Sequence, residues 1–295
     1  MRILGGLFGG KIDMEVSADK AEYLPGETVT ARFALTARHD VDVEEARAEL
    51  VCENEYTHRE RSYSGRTQTT RDVTSKDRQV QAREQLFGAR TIRADESIDQ
   101  SVSLQIPNPA IPSGEGEITK VRWKVGLVLS REHRLDPDAE TQIRVLSLRD
   151  AYAERGTTSP DVDDEGDCTL EFRLPRGRDV RTGENVAGTL VVTARESLEP
   201  HEVRVELVRK EEVPRGEGNH HEEVEAAVVV EEKPSLEAGI PREFAFDLAL
   251  PAGVCPTLET DESTARWYVR GVVARRLRSD YNILEELNVY TGQAA

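Results

Sequence analysis

Apolar and polar residues alternate along short stretches of this chain, with the period of two that a strand with one buried face requires. Val29, Ala31, Phe33 and Leu35 fall on one side, and Thr30, Arg32, Ala34 and Thr36 on the other. Val121, Trp123 and Val125 oppose Arg122 and Lys124, while Val102, Leu104 and Ile106 form another apolar row. Further on, Val186, Gly188, Leu190 and Val192 share a face, as do Phe246, Leu248 and Leu250. Pro25-Gly26, just ahead of the first row, predicts a type II turn: Pro presets φ and Gly takes the positive φ that a side chain resists. The segment DVEEARAEL at 42–50 is ambiguous, because its Glu, Ala and Arg residues also suit a helix.

An internal repeat resolves that ambiguity. At a shift of 157 positions, residues 26–51 match residues 183–208 at 11 of 26 places, among them Gly26/Gly183, Arg47/Arg204, Glu49/Glu206 and Leu50/Leu207. At a shift of 144, residues 101–147 match 245–291 at Leu104/Leu248, Pro107/Pro251, Trp123/Trp267, Val145/Val289 and eight further places. Two blocks in one order, with a longer insert between them in the first copy, indicate tandem duplication of a domain. The echo of 42–50 is EPHEVRVEL at 199–207, where Val203, Val205 and Leu207 alternate with Arg204 and Glu206. Both are therefore strands, with Ala46, Ala48 and Leu50 turned inward in the first.

Many short strands broken by Pro and Gly, with no long amphipathic helix, predict an all-β protein of two tandem immunoglobulin-type antiparallel β-sandwiches. The expected domains are residues 1–148 and 168–295, with a polar, acidic linker at 149–167. A chain of 295 residues holds two domains of ordinary size, and 5% aromatic content calls for mostly aliphatic cores. The net charge of −17 argues against binding nucleic acid, whose phosphates would repel it. Residues 1–148 carry 21 basic and 25 acidic residues, and residues 149–295 carry 18 and 31, so the acidity belongs to the second half. Cys52, Cys168 and Cys255 are far apart and odd in number, which suits a reducing compartment better than a disulfide framework. The opening MRILGGLFGGK lacks the continuous apolar core of a signal peptide, and the expected location is the cytoplasm.

The phrase YLPGETVTARFAL at 23–35 resembles the start of the arrestin amino domain, through Tyr23, Pro25, Gly26, Glu27, Val29, Ala31, Phe33 and Leu35. In arrestin-like domains a strand ending in Pro, a second Pro and an aromatic-centred strand also follow one another. Here that pattern is LQIPNPAIPS before VRWKVGL, and again LALPAGVCPT before ARWYVRG. The resemblance runs from about residue 12 to 291, and the opening LFGGKIDMEVSADKAEYLPGETV is most similar to the bacterial sporulation-control branch. Ala31 stands where the pattern prefers Gly, and Thr182 where it prefers Pro. The resemblance implies a non-enzymatic scaffold or adaptor that binds protein partners across sheet faces and loop tips, without a cofactor. It points to a bacterial stress, sporulation-like or envelope process.

The inserts, which the two copies do not share, are where partner specificity is expected. Residues 59–93 hold Arg59, Arg61, Arg66, Arg71, Lys76, Arg78, Arg83, Arg90 and Arg93 against four acidic residues, a net of +5. Residues 209–233 hold four basic and eight acidic residues, a net of −4. Solvated hairpins account for both; a receptor for an acidic or phosphorylated partner, or salt-dependent self-association through opposite charges, uses them more fully. The alternative class is a β-sandwich module for a small ligand or metal ion. Its candidate elements are His220-His221, which on a strand would point to opposite sides, and the Asp161–Asp167 stretch, which has Phe172 where a calcium loop needs Glu. Ile3, Leu4, Leu7 and Phe8 are expected to pack on their own domain in preference to a membrane. No nucleophile elbow, phosphate loop or dinucleotide fingerprint is present, and no catalytic residue is assigned.

Overall fold

The computed structural model describes residues 3–4, 12–64, 67–131, 138–149, 161–162, 168–276 and 278–292. Their ordered elements are all β-strands. The chain divides into two compact units, Met1–Tyr56, Thr74–Ser113 and Lys120–Ser147 forming one. Thr57–Val73, Gly114–Thr119 and Leu148–Ala295 form the other, so the second unit takes in two short pieces of the first copy.

The predicted alternation is present in the burial of the side chains. Val29, Ala31, Phe33 and Leu35 are buried, as are Ala46, Ala48 and Leu50, Val121, Trp123 and Val125. The 42–50 segment is thus extended, as its echo required. The first copy has a sheet in the order Ile3–Leu4, Ile12–Ala18, Thr28–Ala37, Ser97–Gln105. Its larger sheet runs Glu22–Tyr23, Asp138–Val145, Thr119–Ser130, Glu45–Ser64, Thr67–Phe87. The second copy repeats the order. Cys168–Arg173, Asn185–Ala194 and Arg242–Ala249 form the smaller sheet. Tyr281–Tyr290, Thr264–Ala274, Glu202–Val213 and Asn219–Glu232 form the body of the larger one. Phe172, Leu190, Phe246, Leu207, Trp267 and Ile283, drawn from both sheets, meet in one core. Two β-sandwiches in tandem are therefore the architecture.

The repeat extends to single hydrogen bonds. The Trp123 indole donates to the Ile111 carbonyl at 2.9 Å, and the Trp267 indole donates to the Cys255 carbonyl at 2.8 Å. The Ser113 hydroxyl accepts from the Val145 amide at 3.0 Å, and the Thr257 hydroxyl accepts from the Val289 amide at 2.9 Å. In each copy a short early strand pairs parallel with the last one, Val145 opposite Tyr23 and Val289 opposite Val180. Gly26 and Gly183 take φ of 83° and 86°, which accounts for the Gly recurring where Pro25 does not. Gly188 meets a different need: a Cβ there would lie 2.6 Å from the Arg173 carbonyl. The equivalent position in the first copy is Ala31, so the Gly of that pattern is required in only one sandwich.

Cys52, Cys168 and Cys255 are free and buried, and burial pushes the thiols of Cys52 and Cys255 up to about 12. They pack as small apolar groups.

Replacing Trp267 by Phe removes a fully buried indole and leaves the Cys255 carbonyl without that donor. The expected cost is about 2–3 kcal/mol in a urea melt, with Trp123→Phe costing a similar amount in its own sandwich. A loss below about 0.5 kcal/mol for either would show that the indole bonds do not hold the strands as described.

Candidate functional site

The larger sheet of the first copy turns one face to its core and lines the opposite face with charge. Along Glu45–Ser64 the even positions from Ala46 to Tyr56 are buried, while Arg47, Glu49, Glu53 and Glu55 lie on the other face. Charges of opposite sign then meet across four strands. Glu140 contacts Lys124 at 3.4 Å, Lys124 contacts Glu53 at 3.1 Å, and Glu53 contacts Lys76 at 3.5 Å. A second group centres on Glu49, which is held by Arg47 at 2.8 Å, Arg83 at 3.0 Å and Arg78 at 3.9 Å. Glu55 joins Lys76 at 3.0 Å and Arg122 at 3.5 Å. Such cross-strand pairs let a charged face remain compatible with a flat sheet.

These contacts fix the ionisation of the carboxylates. Burial alone would raise Glu49, but Arg47, Arg83 and Arg78 outweigh it and hold the carboxyl below its usual value. Burial likewise opposes, and Lys124 with Lys76 overcomes, in lowering Glu53. The Lys76 hydrogen bond is the main cause of the lowered Glu55.

The predicted insert residues all acquire partners where they are described. Arg59 lies 3.4 Å from Asp72, Arg71 3.7 Å from Glu60 and Arg93 3.0 Å from Asp40. Arg90 pairs with Glu96, and Arg78 also reaches Glu140 at 2.7 Å. Arg61 pairs with Glu217. Arg66 lies outside the described residues. The net of +5 within 59–93 is therefore met by carboxylates on neighbouring strands, Glu49, Glu53, Glu55 and Glu140, which a count along one segment does not include. Most of these cations remain accessible: Arg71 is 71% exposed, Arg83 57% and Lys76 54%.

The tip of the long hairpin belongs to the second unit, and its contacts are made there. The Glu217 amide donates to the Arg59 carbonyl at 2.9 Å, and the Asn219 side chain donates to the Thr57 carbonyl at 3.0 Å. Gly216 has φ of +68°, and a Cβ on it would lie 2.5 Å from the Arg59 carbonyl. Basic tip and acidic hairpin thus meet in one molecule, and pairing between molecules would have to exchange these contacts.

The same unit contains a buried carboxylate that sequence reading missed. Glu211 accepts hydrogen bonds from the amides of Glu117, Ile118 and Thr119 at 2.9, 2.8 and 3.1 Å, and Arg209 pairs with it. Glu211 is fully buried, and Gly116 leaves the space its carboxylate needs. No local pattern in KEEVPRG marks it. By contrast, Arg204 to Glu206 at 2.7 Å reproduces Arg47 to Glu49, and the shared Arg-x-Glu of the two copies was a readable signal.

His220 and His221 lie on the strand Asn219–Glu232, in register with Glu212 and Glu211, and successive residues there point to opposite faces. Among the described residues no group of three or more His, Cys, Asp and Glu is arranged to hold a metal ion. Asp161 and Val162 pair with Leu284 and Ile283, while 163–167 and the linker residues 150–160 lie outside the described residues. Ile3 and Leu4 pair with Val16 and Glu15; Leu7 and Phe8 lie outside the described residues. Among the described residues no helix is long and apolar enough to cross a membrane.

Two outcomes follow from this geometry. Because Glu49, Glu53 and Glu55 are lowered, their contribution to stability is present above the usual carboxylate value of about 4.5 and is lost as pH falls below it. Urea melts should show Glu49→Gln destabilising the protein more at about pH 7 than at about pH 3.5; an equal effect at both would contradict the ion-pair account. Glu211→Ala should cost about 3 kcal/mol or more by orphaning buried amides, and hydrogen exchange at Ile118 and Thr119 should accelerate. Unchanged exchange at those two amides would show that Glu211 does not secure them.

Residues 9–149 match the family model described as Arrestin (or S-antigen), C-terminal domain. The match spans just under half of the chain and falls on the first sandwich, although the model describes a carboxyl-terminal domain. No curated protein matches the chain.

Proposed function

From an arrestin-like fold in two tandem sandwiches, we propose that the protein is a non-enzymatic scaffold that binds an acidic or phosphorylated protein segment along its charged hairpin. The observation that carries this reading is the state of the hairpin cations. Arg71, Lys76, Arg78 and Arg83 are each paired, yet all keep 43% or more of their side chain exposed. Arg71 pairs with the exposed Glu60, a kind of contact that contributes only about 0–1 kcal/mol, while Lys76, Arg78 and Arg83 can meet an incoming anion with their exposed donors and keep their hold on Glu53 and Glu49. Affinity would come from several such cations meeting one anionic segment together, with Glu49 and Glu53 still paired and keeping the strands in place throughout. A scaffold of this type works by exchange of bound partners and uses no covalent chemistry.

The residues proposed as the partner-binding surface are those of the insert, Arg59 to Arg93, with the domains taken as 1–148 and 168–295. The process proposed for it is a bacterial stress, sporulation-like or envelope response in the cytoplasm, on the resemblance of residues 7–29 to the sporulation-control branch. A metal- or ligand-binding module is not favoured, since His220 and His221 stand on opposite faces of one strand.

The test is affinity capture from the native cell, followed by measured binding of the captured partner to the intact protein. Arg59→Gln with Arg71→Gln should weaken binding about tenfold or more and leave the urea midpoint unchanged, because both arginines pair only with exposed carboxylates. Undiminished binding by that variant, or a partner that engages only when the hairpin is unfolded, would sink the reading.

A further inference from the structure

A concavity of about 580 Å³ at one corner of the second unit gathers more basic side chains than carboxylates. His201, Lys233, Arg275, Arg276 and Arg278 line it, with Glu199 as the single carboxylate. Three connections build it: those between Asn185–Ala194 and Glu202–Val213, between Asn219–Glu232 and Arg242–Ala249, and between Thr264–Ala274 and Tyr281–Tyr290.

The corner is held in shape by backbone hydrogen bonds. The His201 amide donates to the Ala274 carbonyl at 2.7 Å, and the Lys233 amide donates to the His201 carbonyl at 2.9 Å. Leu198 and Leu236 exchange two bonds at 2.9 Å. Lys233 has φ of +48°, a left-handed conformation that a residue with a side chain seldom adopts outside a constrained turn. Arg275 is already committed: its guanidinium donates to the Ser279 carbonyl and the Tyr281 hydroxyl and stacks 3.8 Å from the Tyr281 ring centroid. Lys233, Arg276 and Arg278 have no carboxylate partner among the described residues.

Five other arginines of the unit differ in this. Arg173, Arg178, Arg204, Arg242 and Arg270 all hold carboxylates. Residues 149–295 carry 31 acidic residues against 18 basic ones, so carboxylates were plentiful. The duplication sharpens the contrast. At the shifts that relate the copies, Glu199, His201 and Arg276 correspond in sequence to Asp42, Glu44 and Glu132, so the first copy carries acids where the second carries His201 and Arg276, while Arg275 and Arg278 recur as Arg131 and Arg134.

Unpaired cations in one concavity repel one another, and an anion placed among them relieves that repulsion while gaining charge-assisted hydrogen bonds. The volume lies in the range of small-molecule sites and exceeds what a single ion fills. We propose that this corner binds a small anion with two or more phosphate groups, clasped by Lys233, Arg276 and Arg278. Arg275 supplies a fixed positive wall and His201 a further polar contact. The site is separate from the hairpin reading above and stands or falls without it.

Inorganic tripolyphosphate is the probe, titrated calorimetrically into the intact protein at about 150 mM salt, where weak surface attraction is screened. Saturable one-to-one binding is expected. Arg276→Ser with Arg278→Ser should weaken it about thirtyfold or more, Lys233→Gln several-fold, and Arg276→Lys with Arg278→Lys, which keeps both charges, much less. Arg173→Ser, on a paired and exposed arginine elsewhere, serves as the control. Absence of saturable binding, or equal weakening by Arg173→Ser, overturns the proposal. Binding to vesicles containing phosphatidic acid without binding to tripolyphosphate also overturns it, by assigning the cations to a membrane surface.

Discussion

A carboxylate removed from water must meet a cation, and that requirement governs how the larger sheets of this protein are built. Glu49 and Glu206 are almost fully buried, each held by an arginine two residues earlier on its own strand and by others across the sheet. Exchanging such pairs for apolar groups often costs nothing, but removing one partner leaves a stranded charge, so each pair constrains register more than it adds stability. With 5% aromatic and 32% charged residues, the sheets use paired charge to cover a face that bulkier proteins would cover with hydrophobic side chains. The cost of that choice is sensitivity to any change that breaks the pairing.

Much of the architecture was legible because a period of two is a local property and the chain states it twice. The repeat turned DVEEARAEL into a strand, and Ala46, Ala48 and Leu50 are indeed buried. Charge was harder to read. Counting along 59–93 gives a basic insert, yet Glu49, Glu53 and Glu140 reach it from other strands, and strand order is not local information. Glu211 was invisible for the same reason: its three amide donors lie more than 90 residues earlier. The cationic corner left a partial trace in the ARRLR run at 274–278, but His201 and Lys233 reach it from two other connections.

Duplication supplied two copies of one framework, and their differences show where each has been adapted. Shared features are those that hold strands: the tryptophan indole bonds, the hydroxyl caps of Ser113 and Thr257, the Arg-x-Glu pairs. Features found in one copy only include the longer hairpin of the first, and the buried Glu211 and the basic residues His201 and Arg276 of the second. Two sandwiches of this kind separate a shared frame from faces that differ between the copies.

The parallel pairing that closes each sandwich bears on how the chain reaches this structure. Arg144 must find Glu22 across 122 positions, and Asn288 must find Asp179 across 109. Contacts of such separation are entropically late and belong to slow-folding topologies. During synthesis the first sandwich cannot complete its larger sheet until about residue 145 has left the ribosome, by which time nearly all of its apolar strands are already exposed to the cell. The abundance of charge on those strands then serves a second purpose, keeping an incomplete sheet soluble while it waits for its final strand.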